Sequence, residues 1–183
     1  MSACESSSAS RWKEEVLLHD GQKIEMERTV KLGGRREVGQ EPPIREQSLS
    51  FTLPGTTQKV LWEDTFSADI GTANFLPMLL DVHNGATYLV AYPMGCLSYS
   101  KWGRPNPPYV VFKHADNKSW NRIALQELPA EIKNPNLIFS SPDIEAEKAG
   151  RAVVSAEARM RRPWTSNRSA RPEIAANAAG LWA

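Results

Sequence analysis

Residues 75–92 read FLPMLLDVHNGATYLVAY, two apolar runs of strand length on either side of Asn84-Gly85. Asn-Gly supplies the positive φ angles that a two-residue hairpin turn needs, so the stretch predicts two antiparallel strands folded back on each other. Apolar residues stand at successive positions in both runs. That pattern predicts strands covered on both faces, at the centre of a sheet.

The same arrangement recurs on either side. His19-Asp20-Gly21, Leu53-Pro54-Gly55-Thr56 and His114-Ala115-Asp116-Asn117 each separate two apolar-rich runs. Before the first of these turns Trp12, Glu14, Val16 and Leu18 share one face of a strand. After it Ile24, Met26 and Val30 oppose Glu25, Glu27 and Thr29. Alternation of this kind means one buried and one wet face. The second unit pairs residues 48–53, with Leu49, Phe51 and Leu53 inward, with residues 59–63. The fourth pairs residues 109–114 with 119–125. The expected fold is therefore all-β: an antiparallel, hairpin-built sandwich or partly closed barrel of about eight strands. Leu89, Val90, Tyr92, Val110 and Phe112 are its expected core. No residue-level repeat of the propeller type runs through the units.

One C-terminal α-helix is expected to follow. Ser141 suits an N-cap, Pro142 the first helical position, and Asp143 and Glu145 the positive end of the helix dipole. Ala149, Ala152, Val153, Ala156 and Met160 make a thin apolar stripe at helical spacing.

With 183 residues the chain has the length of one domain. The division expected is a flexible tether over residues 1–11, a single β domain with its helix over 12–159, and a disordered or aberrant Arg/Ala-rich tail over 160–183. A body of that size holds a core without disulfides or metals. A net charge of +1 lacks the basic footprint of a nucleic-acid binder, so no nucleic acid is expected as partner. All nine lysines lie at or before Lys148, whereas six of the thirteen arginines fall between Arg151 and Arg171. That shift of composition sets the tail apart from the domain; a nucleic-acid-binding arginine tail is the competing reading.

Ser2-Ala3-Cys4 matches the last three positions of a bacterial lipoprotein cleavage box, which makes Cys4 the candidate lipidation residue. The Ser-rich residues after it would serve as a tether between lipid and domain. The basic and apolar regions of an export signal are not upstream of it in this sequence. The expected address is thus the periplasmic face of the cell envelope if such a segment precedes Met1, and the cytoplasm if the chain is complete as written. A membrane is expected as partner only through that lipid anchor.

Trp12-Lys13-Glu14-Glu15-Val16 with His19-Asp20-Gly21, and then Gln40-Glu41-Pro42-Pro43, resemble an uncharacterised lipoprotein family of Gram-negative bacteria. So do Asn74-Phe75-Leu76-Pro77, Tyr92-Pro93-Met94-Gly95-Cys96 and Lys101-Trp102-Gly103-Arg104-Pro105-Asn106-Pro107-Pro108. The resemblance covers about residues 12–155 and stops at the arginine-rich tail. It implies an envelope address; it brings no activity and no catalytic residues.

Residues 93–108 form a long loop rich in binding chemistry, with Tyr99, Lys101, Trp102, Arg104 and four prolines. Aromatic and arginine side chains dominate binding hot spots, and proline lowers the ordering cost. Tyr99, Lys101, Trp102 and Arg104 are the binding candidates; the competing role for Trp102 is to fold back and plug the core. Cys96 in the same loop is expected to be a small buried hydrophobe. As a nucleophile it would need a nearby base or positive field, for which His114, His83, Lys101 and Arg104 are the candidates, though no spacing ties any of them to it. His19, His83 and His114 each precede a turn and would meet at an ion only if those turns gathered at one end, so no metal and no cofactor is assigned. The expected function is an envelope-associated, lipoprotein-like module that binds an envelope protein or a small ligand. The alternative is a thiol-dependent or hydrolytic enzyme using Cys96 with a histidine.

Overall fold

The structure, a computed structural model, describes residues 9–34, 39, 41–116, 118–139, 142, 144, 146 and 153–156. Two antiparallel meanders account for most of it. The first contains β1 (Ala9–Leu17), β2 (Lys23–Leu32), β3 (Ile44–Thr52) and β4 (Lys59–Asp64), in the order β4-β3-β2-β1. The second contains β5 (Phe75–His83), β6 (Ala86–Pro93), β7 (Val110–His114) and β8 (Asn121–Ile123), in that order. No strand pairing joins the two sheets among the described residues, so the body is a sandwich rather than a closed barrel. All four predicted hairpins form, each around its turn signal. Asn84 and Gly85, at φ 50 and 75, take the left-handed geometry that Asn-Gly permits.

Alternation decides what each strand buries. Val16, Ile24, Met26, Leu49, Phe51, Val60 and Trp62 from the first sheet meet Phe75, Leu80, Leu89, Ala91, Val110 and Phe112 from the second in one core. The outer face of the second sheet is also apolar and is covered by the chain that follows β8. Ile132, with Leu125, Leu128 and Phe139, packs there on Met78, Leu79, Tyr88, Val90 and Val111. This cover explains why β5 and β6 are apolar on both faces. β6 is central as expected, but β5 is an edge strand. Its two-sided burial comes from the returning chain, not from a neighbouring strand. Leu89, Val90, Val110 and Phe112 are buried, whereas Tyr92 is 36% exposed. Tyr92 shares the outward parity of Val90 but lies at the end of β6, where the Phe139 ring meets it in a T-shaped contact at 6.0 Å between centroids.

The returning chain closes the open edge between the sheets. Asn136 donates from Nδ2 to the Leu17 and Leu80 carbonyls, and its Oδ1 accepts the Leu80 N–H at 2.9 Å. On the opposite edge Trp120 donates its indole N–H to the Leu61 carbonyl at 2.7 Å, tying the β7–β8 turn to β4. Both seams are thus sealed by single side chains capping exposed strand edges.

Three features depart from the sequence reading. The first strand begins at Ala9, inside the stretch read as a tether, because Ala9, Ser10 and Arg11 pair with Lys31, Val30 and Thr29 of a long β2. The segment after β6 is not all loop: a short helix, α1 (Gly95–Lys101), occupies its start. Val153–Val154 forms β9, parallel to β1, with Val154 buried beside Trp12 and Val30. Pro142, Ile144 and Ala146 are helical where the helix start was expected. The rest of that helix, Cys4 and residues 160–183 lie outside the described residues.

Candidate binding site

Both meanders place their hairpin turns at one pole. Contact between His19 and Asp81 shows that it is the same pole for the two sheets. The opposite pole carries α1, the loop after it and the β4–β5 connection, and the binding candidates lie there.

Trp102 folds back onto the core. Its ring lies 4.6 Å from Phe75 and 6.1 Å from Phe112 between centroids, and its indole N–H donates to Asn74 Oδ1 at 3.2 Å. Lys101 donates to Asp69 at 3.0 Å and to Ser67 at the surface. The Ser67 hydroxyl and then the Lys101 ammonium hold the Asp69 carboxyl down at about 2. Tyr99 accepts the Arg104 backbone N–H through its carbonyl, which sets the turn in which Arg104 adopts φ 51. These four residues therefore build the end of the sandwich; Tyr99 and Trp102 are partly buried in it, and Lys101 and Arg104 are exposed at its surface.

The concave surface lies beside them. A groove of about 440 Å³ opens between Pro105–Pro107, over Tyr109 and Val110, and the strand end at Arg122, Ile123 and Gln126. The expected loop supplies one wall through its prolines, and β8 with the following 3₁₀ turn Leu125–Glu127 supplies the other. The peptide bond Asn106–Pro107 is cis. Arg122 pairs across from Phe112, so it points along the inner face at an open edge, and its guanidinium lies 5.8 Å over the Trp102 ring. This cation–π contact holds the guanidinium and its donors beside the groove. Tyr109 forms the floor, and burial, with a smaller contribution from Tyr92, raises its phenol above the ordinary range. Arg122 and Tyr109 carried no sequence signal of their own. Arg122 follows Trp120-Asn121 in a strand only three residues long, and its partner Trp102 lies far off in the chain.

Cys96 is exposed on α1, not buried, because the chain turns away from the sheet after Pro93. The pairing of Cys96 with a histidine is not formed. β6 separates it from the turn pole by eight residues, about 25 Å at roughly 3.3 Å per residue, and His19, His83 and His114 all stand at the turn pole. His114 lies against Trp120, 5.2 Å between centroids.

The interior of the first sheet holds a polar network that parity alone locates. Glu14 and Arg28 are fully buried and 3.5 Å apart. Arg28 donates to the Ile138 carbonyl at 2.6 Å and to Gln47 Oε1, while Glu14 accepts the Trp12 indole N–H and the Ile138 N–H. Gln47 continues to Asp64, which accepts the Asn74 and Phe75 backbone N–H groups. Nothing in this row is open to a ligand; it fixes the loops that frame the far pole. Among the described residues no helix is long and apolar enough to cross a membrane. No protein-family model, curated protein or solved structure matches the chain.

Proposed function

We propose that the chain is a binding module of the Gram-negative cell envelope, held at its periplasmic face by acylation of Cys4, and that it takes a short extended peptide with an acidic group. The observation that carries the binding role is the groove at Arg122. Pyrrolidine and phenol faces give apolar contact along its length, and a guanidinium held over the Trp102 ring at its rim suits a carboxylate. The prolines fix one wall before the ligand arrives, which lowers the cost of binding. The envelope address is supported by the Ser2-Ala3-Cys4 box and the residue-level resemblance.

Two experiments separate the parts of this reading. A phage-displayed library of linear peptides, panned on the full chain, is expected to yield acidic sequences that bind Arg122→Ala at least tenfold more weakly. Peptides that bind both proteins equally would remove the groove from the account. Placing an export segment ahead of Met1 in a Gram-negative host is expected to send the protein to the membrane fraction with a lipid mass shift. Cys4→Ser should abolish both effects, and an unchanged membrane fraction in that variant would remove the anchor.

A further inference from the structure

At the turn pole, well away from the groove, two histidines meet. His19 Nε2 and His83 Nδ1 stand 3.4 Å apart, with ring centroids separated by 5.2 Å. His19 is oriented by Asp81, whose side chain is 5% exposed. Asp81 Oδ1 lies 2.7 Å from His19 Nδ1 and Oδ2 accepts the His19 backbone N–H at 3.0 Å. The Val82 N–H, donating to Oδ1 at 2.8 Å, fixes the carboxylate further.

We propose that His19 and His83 form a site for a divalent transition-metal ion of the imidazole-binding class, zinc, nickel or copper. Three observations carry this. A carboxylate only accepts, so His19 Nδ1 holds the proton and Nε2 presents a lone pair toward His83. Carboxylate on one nitrogen and metal on the other is the usual arrangement of a ligating histidine, since it fixes the tautomer and raises the basicity of the ligand. Two nitrogens about 2.0–2.1 Å from one tetrahedral ion lie roughly 3.3–3.4 Å apart, the separation present here. Both ligands also sit on constrained backbone. His83 ends β5 immediately before the Asn84-Gly85 turn, and His19 follows Leu18, whose N–H donates to the Gln22 carbonyl. Among the described residues no third histidine, cysteine or carboxylate converges on the pair, so water or an outside donor would complete the shell. Carboxylate- and water-preferring ions such as magnesium and calcium are disfavoured by an imidazole pair. Binding requires a lone pair on both facing nitrogens, so His83 takes the Nε2–H tautomer and no redox step is involved.

The test is calorimetric titration of the full chain with zinc chloride and with nickel chloride, in a Cys4→Ser, Cys96→Ser background that removes thiol ligands. The expected result is one ion per chain, with affinity at least tenfold weaker in His83→Ala and in His19→Ala. His114→Ala should bind as the parent does. Asp81→Asn is expected to weaken binding about 10–100-fold through loss of the orienting carboxylate. His83 is near the surface, so His83→Ala tests the site even if Asp81→Asn destabilises the fold. Zinc should also raise the melting temperature of the parent but not of His83→Ala. Equal zinc and nickel affinity in parent and His83→Ala, or no binding at all, would overturn the proposal and leave the pair as an imidazole–imidazole hydrogen bond.

Discussion

Glu14 and Arg28 show how a residue-level rule reaches further than a hydrophobic count. Period-two parity puts Glu14 with Trp12 and Val16, and Arg28 with Met26 and Val30, on faces that become the interior. Two opposite charges on neighbouring inward faces predict a buried pair; the inward apolar residues of β2 were legible, while Arg28 between them was not singled out. Breaking such a pair strands a buried charge. Arg28→Met is therefore expected to lower unfolding free energy by roughly 3–5 kcal/mol, measured in urea, with much of it restored when Glu14→Leu is added. A small single-variant effect would show that the pair is solvated. Asp69 gives a second test at this scale. Its folded-state value is depressed to about 2 from an ordinary 3.8, so its contribution is complete above pH 3.8 and lost as pH falls through about 2. Carboxyl NMR should find Asp69 titrating near 2, and back in the ordinary carboxylate range in a Ser67→Ala, Lys101→Ala protein. Unchanged titration in that protein would remove both partners as the cause.

At the scale of elements, the hairpins were legible because each is local: a turn residue with a positive φ and two alternating runs lie within about thirty residues. What was not legible is non-local. Nothing in FLPMLLDVH says that its far edge will be covered by residues 136–138 rather than by a strand, and Tyr92 reads as core because its uncovered position depends on where that segment ends. The helix after β6 was missed for a different reason, since Met94 gives it no side-chain cap and its seven residues show no apolar stripe. The seam makes its own prediction. Asn136→Ala leaves the Leu80 N–H and two carbonyls without the amide that caps them, at about 1–3 kcal/mol for each buried group left bare. Native-state hydrogen exchange should then show the Leu80 amide opening faster than that of Leu89, at the centre of the sheet. Equal protection of the two amides would mean that the seam is held by packing alone.

For the whole molecule, the two poles divide the chemistry. The turn pole gathers the histidines, and the far pole gathers Trp102, Arg122 and the prolines around a groove. The segment singled out in the sequence, residues 93–108, supplies one wall of the groove through Pro105 and Pro107, but its candidate side chains mostly build the pole; the groove itself required β8 to arrive from residues 121–126. Binding at Arg122 is the central claim, and amide chemical-shift mapping tests it most directly. Isotope-labelled full chain is titrated with the tightest acidic peptide recovered from the library. The account predicts the largest shifts at Tyr109, Val110 and residues 122–126, little change at His19 and His83, and loss of the shifts in Arg122→Ala. Saturable shifts centred elsewhere, or shifts that persist unaltered in Arg122→Ala, would contradict it.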